Sequence, residues 1–173
     1  MSKVKKPELD KAMKQEPLPF SLRAVYWREG RQWMSDNFDP MLPGQPIFGQ
    51  FKASDRRIEI RETIENIPDA KPIKSCLVTS NFEFRYLNAQ LDKQYNEEAD
   101  GKCLVAQISA RITVDYLIEV AETPPHEKLE QWASNNALLH CWPYWREFCH
   151  STLLRMNLPV TMMPMMVIGK KED

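Results

Sequence analysis

The side chains best suited to catalysis or metal binding in this sequence are three histidines and four cysteines. Two histidine–cysteine neighbours, His140-Cys141 and Cys149-His150, lie close together in the chain. Structural zinc sites, however, draw their ligands from pairs at short regular spacing, and the sequence contains no C-x-x-C pair. We therefore expect no metal site. In a chain without a secretion signal, the cysteines are interpreted as reduced packing residues, namely Cys76, Cys103, Cys141 and Cys149.

Recognisable catalytic motifs are also missing from the sequence. None of the five glycines belongs to a G-x-G-x-x-G or G-K-[ST] phosphate-binding loop. His150 and Ser151 are neighbours, which provides no geometry for a catalytic triad. Arg146 and Glu147 point to different faces of a predicted helix, where charged residues usually form ion pairs or face solvent. We therefore predict that the protein is not an enzyme, uses no cofactor and acts by binding.

Length and composition fit one domain, or one protomer of an oligomer. The chain has 173 residues, of which 43% are hydrophobic, and its net charge is −1. This balance argues against a nucleic-acid-binding protein, which usually carries a basic surplus. No apolar run approaches the roughly 20 residues of a membrane span. The first residues, M-S-K-V-K-K-P-E-L-D-K, are charged and lack an apolar signal core, so we expect a cytoplasmic protein with a mobile tail over residues 1–17.

Alternation of apolar and polar residues predicts four strands. They are Phe20–Glu29, Arg57–Asn66, Cys76–Leu87 and Lys102–Val120. In the first, the alternation places Phe20 and Trp27 on opposite faces, and in the last it slips after Asp115, which predicts a bulge or bend. Short turns between the last three strands indicate antiparallel pairing. The sequence therefore predicts an α+β fold, a four-stranded antiparallel sheet followed by helices, in one domain over residues 18–168 with a short charged end at 169–173.

Two helices are predicted after the strands. The first begins at Thr123-Pro124-Pro125, where Thr123 can cap it and prolines are tolerated. Pro143 separates it from the second, because proline fits the first turn of a helix better than its interior. Asn157 suits a left-handed helix end. Apolar residues recur in the second helix at three- and four-residue steps, at Trp145, Phe148, Cys149, Thr152, Leu153 and Met156.

Two irregular segments are rich in large apolar side chains. Residues 30–54 mix glycines and prolines with aromatics and methionines, and such long loops in compact domains are usually functional or disordered. This segment is either a loop tucked over the core or a mobile apolar flap that adapts to a partner. The methionine-rich stretch at 162–166 leaves a similar choice open, between filling gaps in the core and contacting a partner.

One stretch of the sequence resembles a known protein family. The residues that carry the resemblance are Pro143, Tyr144, Arg146 and Glu147 in a P-Y-x-R-E run, then Arg155, Leu158-Pro159 and Met163-Pro164. This run is similar to the helix-to-tail signature of the SecB export chaperone family, in which the helix leads to an R-G-x-P turn and an apolar strip. Asn157 stands where the family usually has glycine, and the family's final helix is absent or very short here. The order of strands, crossover connection and helix also matches the family.

The resemblance implies a chaperone. SecB proteins assemble as dimers of dimers, hold unfolded polypeptides without nucleotide, and in the best-known members pass them to the SecA translocation motor. We therefore expect a cytoplasmic homotetrameric holdase that binds unfolded polypeptide clients. Its further partner is either a SecA-like motor in protein export and transport or the antitoxin of a toxin–antitoxin system. The alternative is an adaptor that binds a single folded partner without general chaperone activity.

Candidate site residues follow from the resemblance and from the apolar segments. The expected client-binding residues are Trp33, Met34, Phe38, Met41, Leu42, Phe48, Phe51, Ile58, Ile60, Met162 and Met163. The expected oligomer-interface residues are Trp142, Tyr144, Trp145, Phe148 and Leu153. Methionine and aromatic side chains suit a surface that must repack against many different clients.

Overall fold

A computed structural model of the chain describes residues 20–63, 72–88, 103–119, 124–161 and 163, in which four strands precede one helix. The elements are β1 (Phe20–Met34), β2 (Phe48–Thr63), β3 (Ile73–Leu87), β4 (Leu104–Ile118) and α1 (His126–Arg155). The predicted α+β fold with a four-stranded antiparallel sheet is therefore confirmed. The predicted N-terminal tail, the cap at Thr123 and the charged end at 169–173 lie outside the described residues.

The strands pair in the order β1-β4-β3-β2, and every neighbouring pair is antiparallel. β1 continues to Met34 and β2 begins at Phe48, so the prediction that all of residues 30–54 are irregular is wrong, and only the crossover connection 35–47 lies between the strands. Because β1 and β2 are consecutive in the chain but lie at opposite edges, this connection must cross one end of the sheet. Where it leaves β1, the Ser35 amide donates to the Val105 carbonyl at 2.8 Å. Where it enters β2, Phe48 pairs with Leu87. The connection is thus held at the end of the sheet where β3 finishes and β4 starts.

Two bulges in β1 change which of its side chains face the helix. Arg23 and Arg28 are extra residues in β1 relative to β4. Each insertion reverses the alternation of side chains. Trp27 therefore contacts α1 as Phe20 does, and the prediction that they face opposite ways is wrong. The bulge predicted in the last strand after Asp115 is wrong as well, because β4 is regular from Ala106 to Leu117 in its pairing with β3, and the irregularity near Asp115 lies in β1.

A single helix replaces the two that were predicted. α1 runs unbroken for 30 residues from His126 to Arg155 and contains Pro143, so the predicted separation at this proline is wrong. A proline inside a helix removes one hydrogen bond and costs about 3 kcal/mol. On either side of it, Cys141 and Trp145 are completely buried against the sheet. Packing of the helix on both sides of the proline therefore outweighs the local cost.

The core lies between α1 and one face of the sheet. At its centre the ring of Trp145 stacks on Phe82 of β3, with centroids 5.5 Å apart. Gly30 of β1 lies under Phe148, where an added Cβ would be 3.0 Å from the ring, so a larger residue at this position would displace the ring by a few tenths of an ångström. No described helix or strand packs on the opposite side of the sheet, which we call the open face. Small buried residues let the helix approach the strands, namely Ala133, Ala137, Cys141 and Cys149.

The helix ends as the sequence predicts. Asn157 adopts a left-handed conformation with φ of 54°, and the Leu158 amide donates to the Leu153 carbonyl at 3.0 Å. The chain then returns to β3, where the Tyr86 hydroxyl donates to the Pro159 carbonyl at 2.5 Å. This contact fixes the tail strip, residues 158–161 and 163, to the same end of the sheet that the crossover connection crosses.

Candidate functional site

The crossover connection presents apolar side chains on a locally ordered backbone. Asp39 organises it, because its carboxylate accepts from the Met41 amide at 2.9 Å and its carbonyl accepts from the Leu42 amide at 3.2 Å. Phe38 packs against the core, whereas Met41 and Leu42 remain 75% and 58% exposed. The connection therefore combines a plug over the core with an exposed apolar tip, and the tip leads directly into β2.

The edge strand β2 carries an apolar stripe beside the helix, formed by Phe51, Ile58 and Ile60. Simple alternation would put Phe51 on the opposite face from the two isoleucines. A bulge between Ser54 and Arg56 reverses the alternation, so that all three pair with residues of β3 that face α1. Phe51 meets Trp142 edge-on at 5.1 Å. Phe51 and Ile60 are 39% and 40% exposed, so the stripe is accessible along the edge of the sheet.

Three other predicted client-binding residues lie apart from the stripe. Trp33 is 49% exposed, but it pairs with Gln107, which belongs to the polar series of β4 on the open face. Its neighbour Met34 packs against the core on the other side. Phe48 pairs with Leu87, and its neighbour Gly49 pairs with Tyr86. In the alternation of β2, Phe48 is therefore one position away from the residues that face α1. The structure therefore brings together only part of the predicted set.

The methionine-rich tail is partly a core element. Met163 is only 8% exposed and belongs to the hydrophobic core together with Leu158. Of the two alternatives for the methionine-rich stretch, filling gaps in the core describes the position of Met163. Met162 lies outside the described residues. The tail strip borders a groove on the outside of α1 that has Pro143, Arg146, Glu147 and His150 along its helical wall.

Most of the predicted interface residues are buried within the protomer itself. Trp145 and Leu153 are completely buried and Trp142 is 5% exposed, so these side chains stabilise a single chain. Phe148 is half-buried against Trp27. On the outer surface of α1 the exposed apolar residues are Leu139, Tyr144 and Leu154. Leu139 and Leu154 were not among the predicted interface residues, although their positions off the inward-facing pattern of the helix could have identified them.

The titratable groups in the core are held neutral. Burial raises the pKa of Cys76 to about 11 and the pKa values of Cys141 and Cys149 to about 12, so these groups remain thiols instead of reactive thiolates. Burial also lowers the pKa of His140, whose Nδ1 lies 2.7 Å from the Tyr116 hydroxyl. Across the described ranges, no three His, Cys, Asp or Glu residues are arranged to hold a metal ion. The helix of the described chain is not apolar enough to cross a membrane.

Comparison with known proteins identifies a solved structure with a similar fold. No protein-family profile matches the chain, and no curated protein matches it in sequence. Among solved structures, it is similar to the Mycobacterium tuberculosis Rv1957 SecB-like chaperone in complex with a ChAD peptide from the Rv1956 HigA1 antitoxin. The TM-score is 0.61 at 15% identity, over 88% of this chain and 94% of that one. The protein therefore has the fold of a SecB-like chaperone.

Proposed function

We propose that the protein is a SecB-like holdase that binds extended, non-native polypeptide segments along the apolar stripe and the tip of the crossover connection. The accessible stripe of β2 is the observation that carries this proposal, because Phe51 and Ile60 offer apolar surface beside an edge strand whose outer side has no partner among the described elements. An extended segment can add main-chain hydrogen bonds to such an edge while its side chains enter the apolar surface. The fold likeness to a chaperone that holds a peptide supports the same activity.

A few hundred Å² of apolar surface is enough to capture an unfolded chain. Burial of roughly 400 Å² of apolar surface stabilises a complex by about 10 kcal/mol before the cost of ordering the client. Much of this gain is offset by the ordering of the client and of the exposed Met41 and Leu42 side chains. Each protomer therefore binds a client segment reversibly, and several such surfaces in one oligomer raise the overall affinity for the client. This mechanism needs neither a cofactor nor nucleotide.

Light scattering tests the holdase proposal. A chemically unfolded, unrelated protein is diluted with and without this protein, in the absence of nucleotide. Near-stoichiometric suppression of aggregation is expected, and the double variant Met41→Ser/Leu42→Ser should lose at least about half of it, because the exposed tip is removed. Leu22→Ser is the matched control, since Leu22 is 49% exposed on the opposite edge strand.

The outcome also separates the alternatives. Equal suppression by the wild type and the double variant would rule out the tip as a client-binding surface. No suppression by the wild-type protein would contradict a general holdase and favour the adaptor that binds one partner. In that case binding of a synthetic antitoxin-type peptide, followed by fluorescence anisotropy, distinguishes a dedicated client from a folded partner. A SecA-like motor as recipient is tested in the same way with the purified motor.

The protein is further proposed to assemble as a homotetramer in the cytoplasm. Exposed apolar residues on the outside of α1, Tyr144 and Leu154, support the assembly because association would remove them from water. All four cysteines are free thiols, which fits a reducing compartment. Light scattering coupled to gel filtration should give a tetramer at micromolar concentration. Tyr144→Asp/Leu154→Asp should reduce its size, and a monomeric wild-type protein would disprove the assembly.

A further inference from the structure

The open face of the sheet contains a groove lined mainly by arginines, which we call the arginine groove. It has a volume of about 380 Å³ and lies on the opposite side of the sheet from α1. Its charged lining consists of Arg28, Arg56, Arg57, Arg61, Arg111 and Glu59. Five guanidinium groups thus share one groove with a single carboxylate, in a chain whose overall net charge is −1. The lining of this groove therefore carries a local excess of positive charge.

The groove lies over the two central strands, where Thr79 and Asn81 of β3 contribute to its lining. Thr79 of β3 and Thr113 of β4 are cross-strand partners, and their hydroxyl oxygens are 2.8 Å apart. Arg57 of β2 pairs with Thr79 on one side. On the other side the Arg28 side chain donates to the Thr113 hydroxyl at 3.3 Å and lies over the Tyr26 ring at 4.7 Å. The two arginines consequently form opposite walls of a shallow trough that crosses the sheet.

Carboxylates neutralise part of the charge of the groove: Glu59 belongs to its lining, and the charge of the nearby Asp115 also acts on Arg61. Glu59 accepts a hydrogen bond from Arg61 at 2.8 Å, and this bond is the main cause that lowers the Glu59 pKa. Arg57 and Arg28 lower the pKa of Glu59 further through their charges. The single carboxylate of Glu59 therefore interacts electrostatically with three arginines. Arg111 has its own partner in Glu29 at the border of the groove, at 3.2 Å.

We propose that the arginine groove docks an extended acidic segment of a partner protein, separately from the apolar client surface. Guanidinium groups bind carboxylates through paired, charge-assisted hydrogen bonds. Arg28 and Arg57 lie on the two edge strands, whose backbones are three strand spacings of about 4.8 Å, or about 14 Å, apart. Carboxylates four residues apart in an extended segment are separated by about 13 Å. Alternating acidic residues in the partner therefore match the width of the sheet.

A protein segment fits this surface better than a nucleic acid does. Glu59 lies within the groove and Glu29 lies at its border. A continuous row of phosphates would meet these carboxylates, and the repulsion would offset part of the attraction to the arginines. Separate carboxylates on an extended peptide can engage the arginines and leave gaps at Glu59 and Glu29. Nucleic-acid binding surfaces also accompany a basic surplus, which this chain does not have.

Fluorescence anisotropy with defined probes tests the proposal on the full chain. The probes are a labelled synthetic peptide of alternating glutamate and serine, the same peptide with lysine in place of glutamate, and a single-stranded RNA of similar length. Saturable binding is expected for the glutamate peptide only, and it should weaken as salt is raised because the contacts are exposed. Arg57→Glu should weaken the binding at least about tenfold, since it reverses a charge beside the peptide.

Matched variants decide the outcome. Lys128→Glu makes the same charge change on α1, and should leave peptide binding within about twofold of the wild type because it lies far from the open face. Arg57→Glu should leave the suppression of aggregation unchanged, which separates this proposal from the holdase proposal. Absence of saturable binding by the wild type, equal losses in the Arg57 and Lys128 variants, or tighter binding of the RNA would each overturn the acidic docking site.

Discussion

Replacement of Trp145 offers a quantitative test of the packing between α1 and the sheet. The side chain is completely buried between Phe82 and Phe51, and its Nε1–H donates to no acceptor among the described residues. An unsatisfied buried donor costs about 1–3 kcal/mol, because the group has lost its hydrogen bond with water. Trp145→Phe removes this donor while keeping an aromatic ring in the stack. Trp145→Ala removes the donor and the ring together.

The expected free energies follow from the size of the change. Phenylalanine is about 40 Å³ smaller than tryptophan, which at about 24 cal/mol per Å³ of cavity costs about 1 kcal/mol. The lost transfer of apolar surface costs about 1 kcal/mol more. Relief of the unsatisfied donor offsets about 1–3 kcal/mol, so the phenylalanine variant should stay within about 1 kcal/mol of the wild type. The alanine variant should lose about 3–5 kcal/mol.

Urea unfolding followed by far-ultraviolet circular dichroism measures both variants without relying on tryptophan fluorescence. The slope of the free energy with urea must stay the same for the midpoints to be compared. A phenylalanine variant that loses more than about 3 kcal/mol, close to the alanine variant, would refute the reasoning. It would mean that the indole N–H is satisfied or that the shape of the indole is essential to the core.

Three further predictions concern His140, the helix end at Asn157 and the four cysteines. Burial lowers the pKa of His140, so the unfolded chain binds a proton more readily, and the stability of the wild type should fall as pH decreases through about 6.5. His140→Gln should flatten this pH dependence in urea unfolding, while the exposed His150→Gln should retain it. Asn157→Ala should lower the free energy of unfolding by about 1 kcal/mol, because the φ of residue 157 is positive, whereas Asn157→Gly should not lower it. Equal stabilities of the two variants would contradict this prediction. With a thiol reagent at pH 8, only the half-buried Cys103 should react in the native protein, and all four cysteines should react in urea; rapid native labelling of Cys141 would contradict its burial.

The fold class was predictable because it depends on patterns local to each segment. A sheet with one buried face requires apolar residues at every second position, and this alternation identified the four strands. Asn157 at the helix end was predictable for a similar reason, since few residues adopt a positive φ without strain. The two-helix prediction failed at Pro143. Local chemistry disfavours proline inside a helix, but the burial of Cys141 and Trp145 on either side of it is a tertiary interaction that the local pattern does not contain.

The candidate sites were less predictable, because their composition depends on strand pairing. The bulge between Ser54 and Arg56 places Phe51 on the same face as Ile58, and a bulge is defined only by the partner strand. Trp33 and Met34 are neighbours in the sequence but face opposite sides of the sheet.

Local periodicity and backbone preference were enough to predict an α+β domain with a four-stranded antiparallel sheet, a C-terminal helical region with one apolar face and an asparagine helix end. Strand pairing and packing, in contrast, set which apolar residues remain exposed and bring arginines from β1, β2 and β4 into one groove. Burial and charge density arise from contacts between residues far apart in the chain, and no local pattern encodes those contacts.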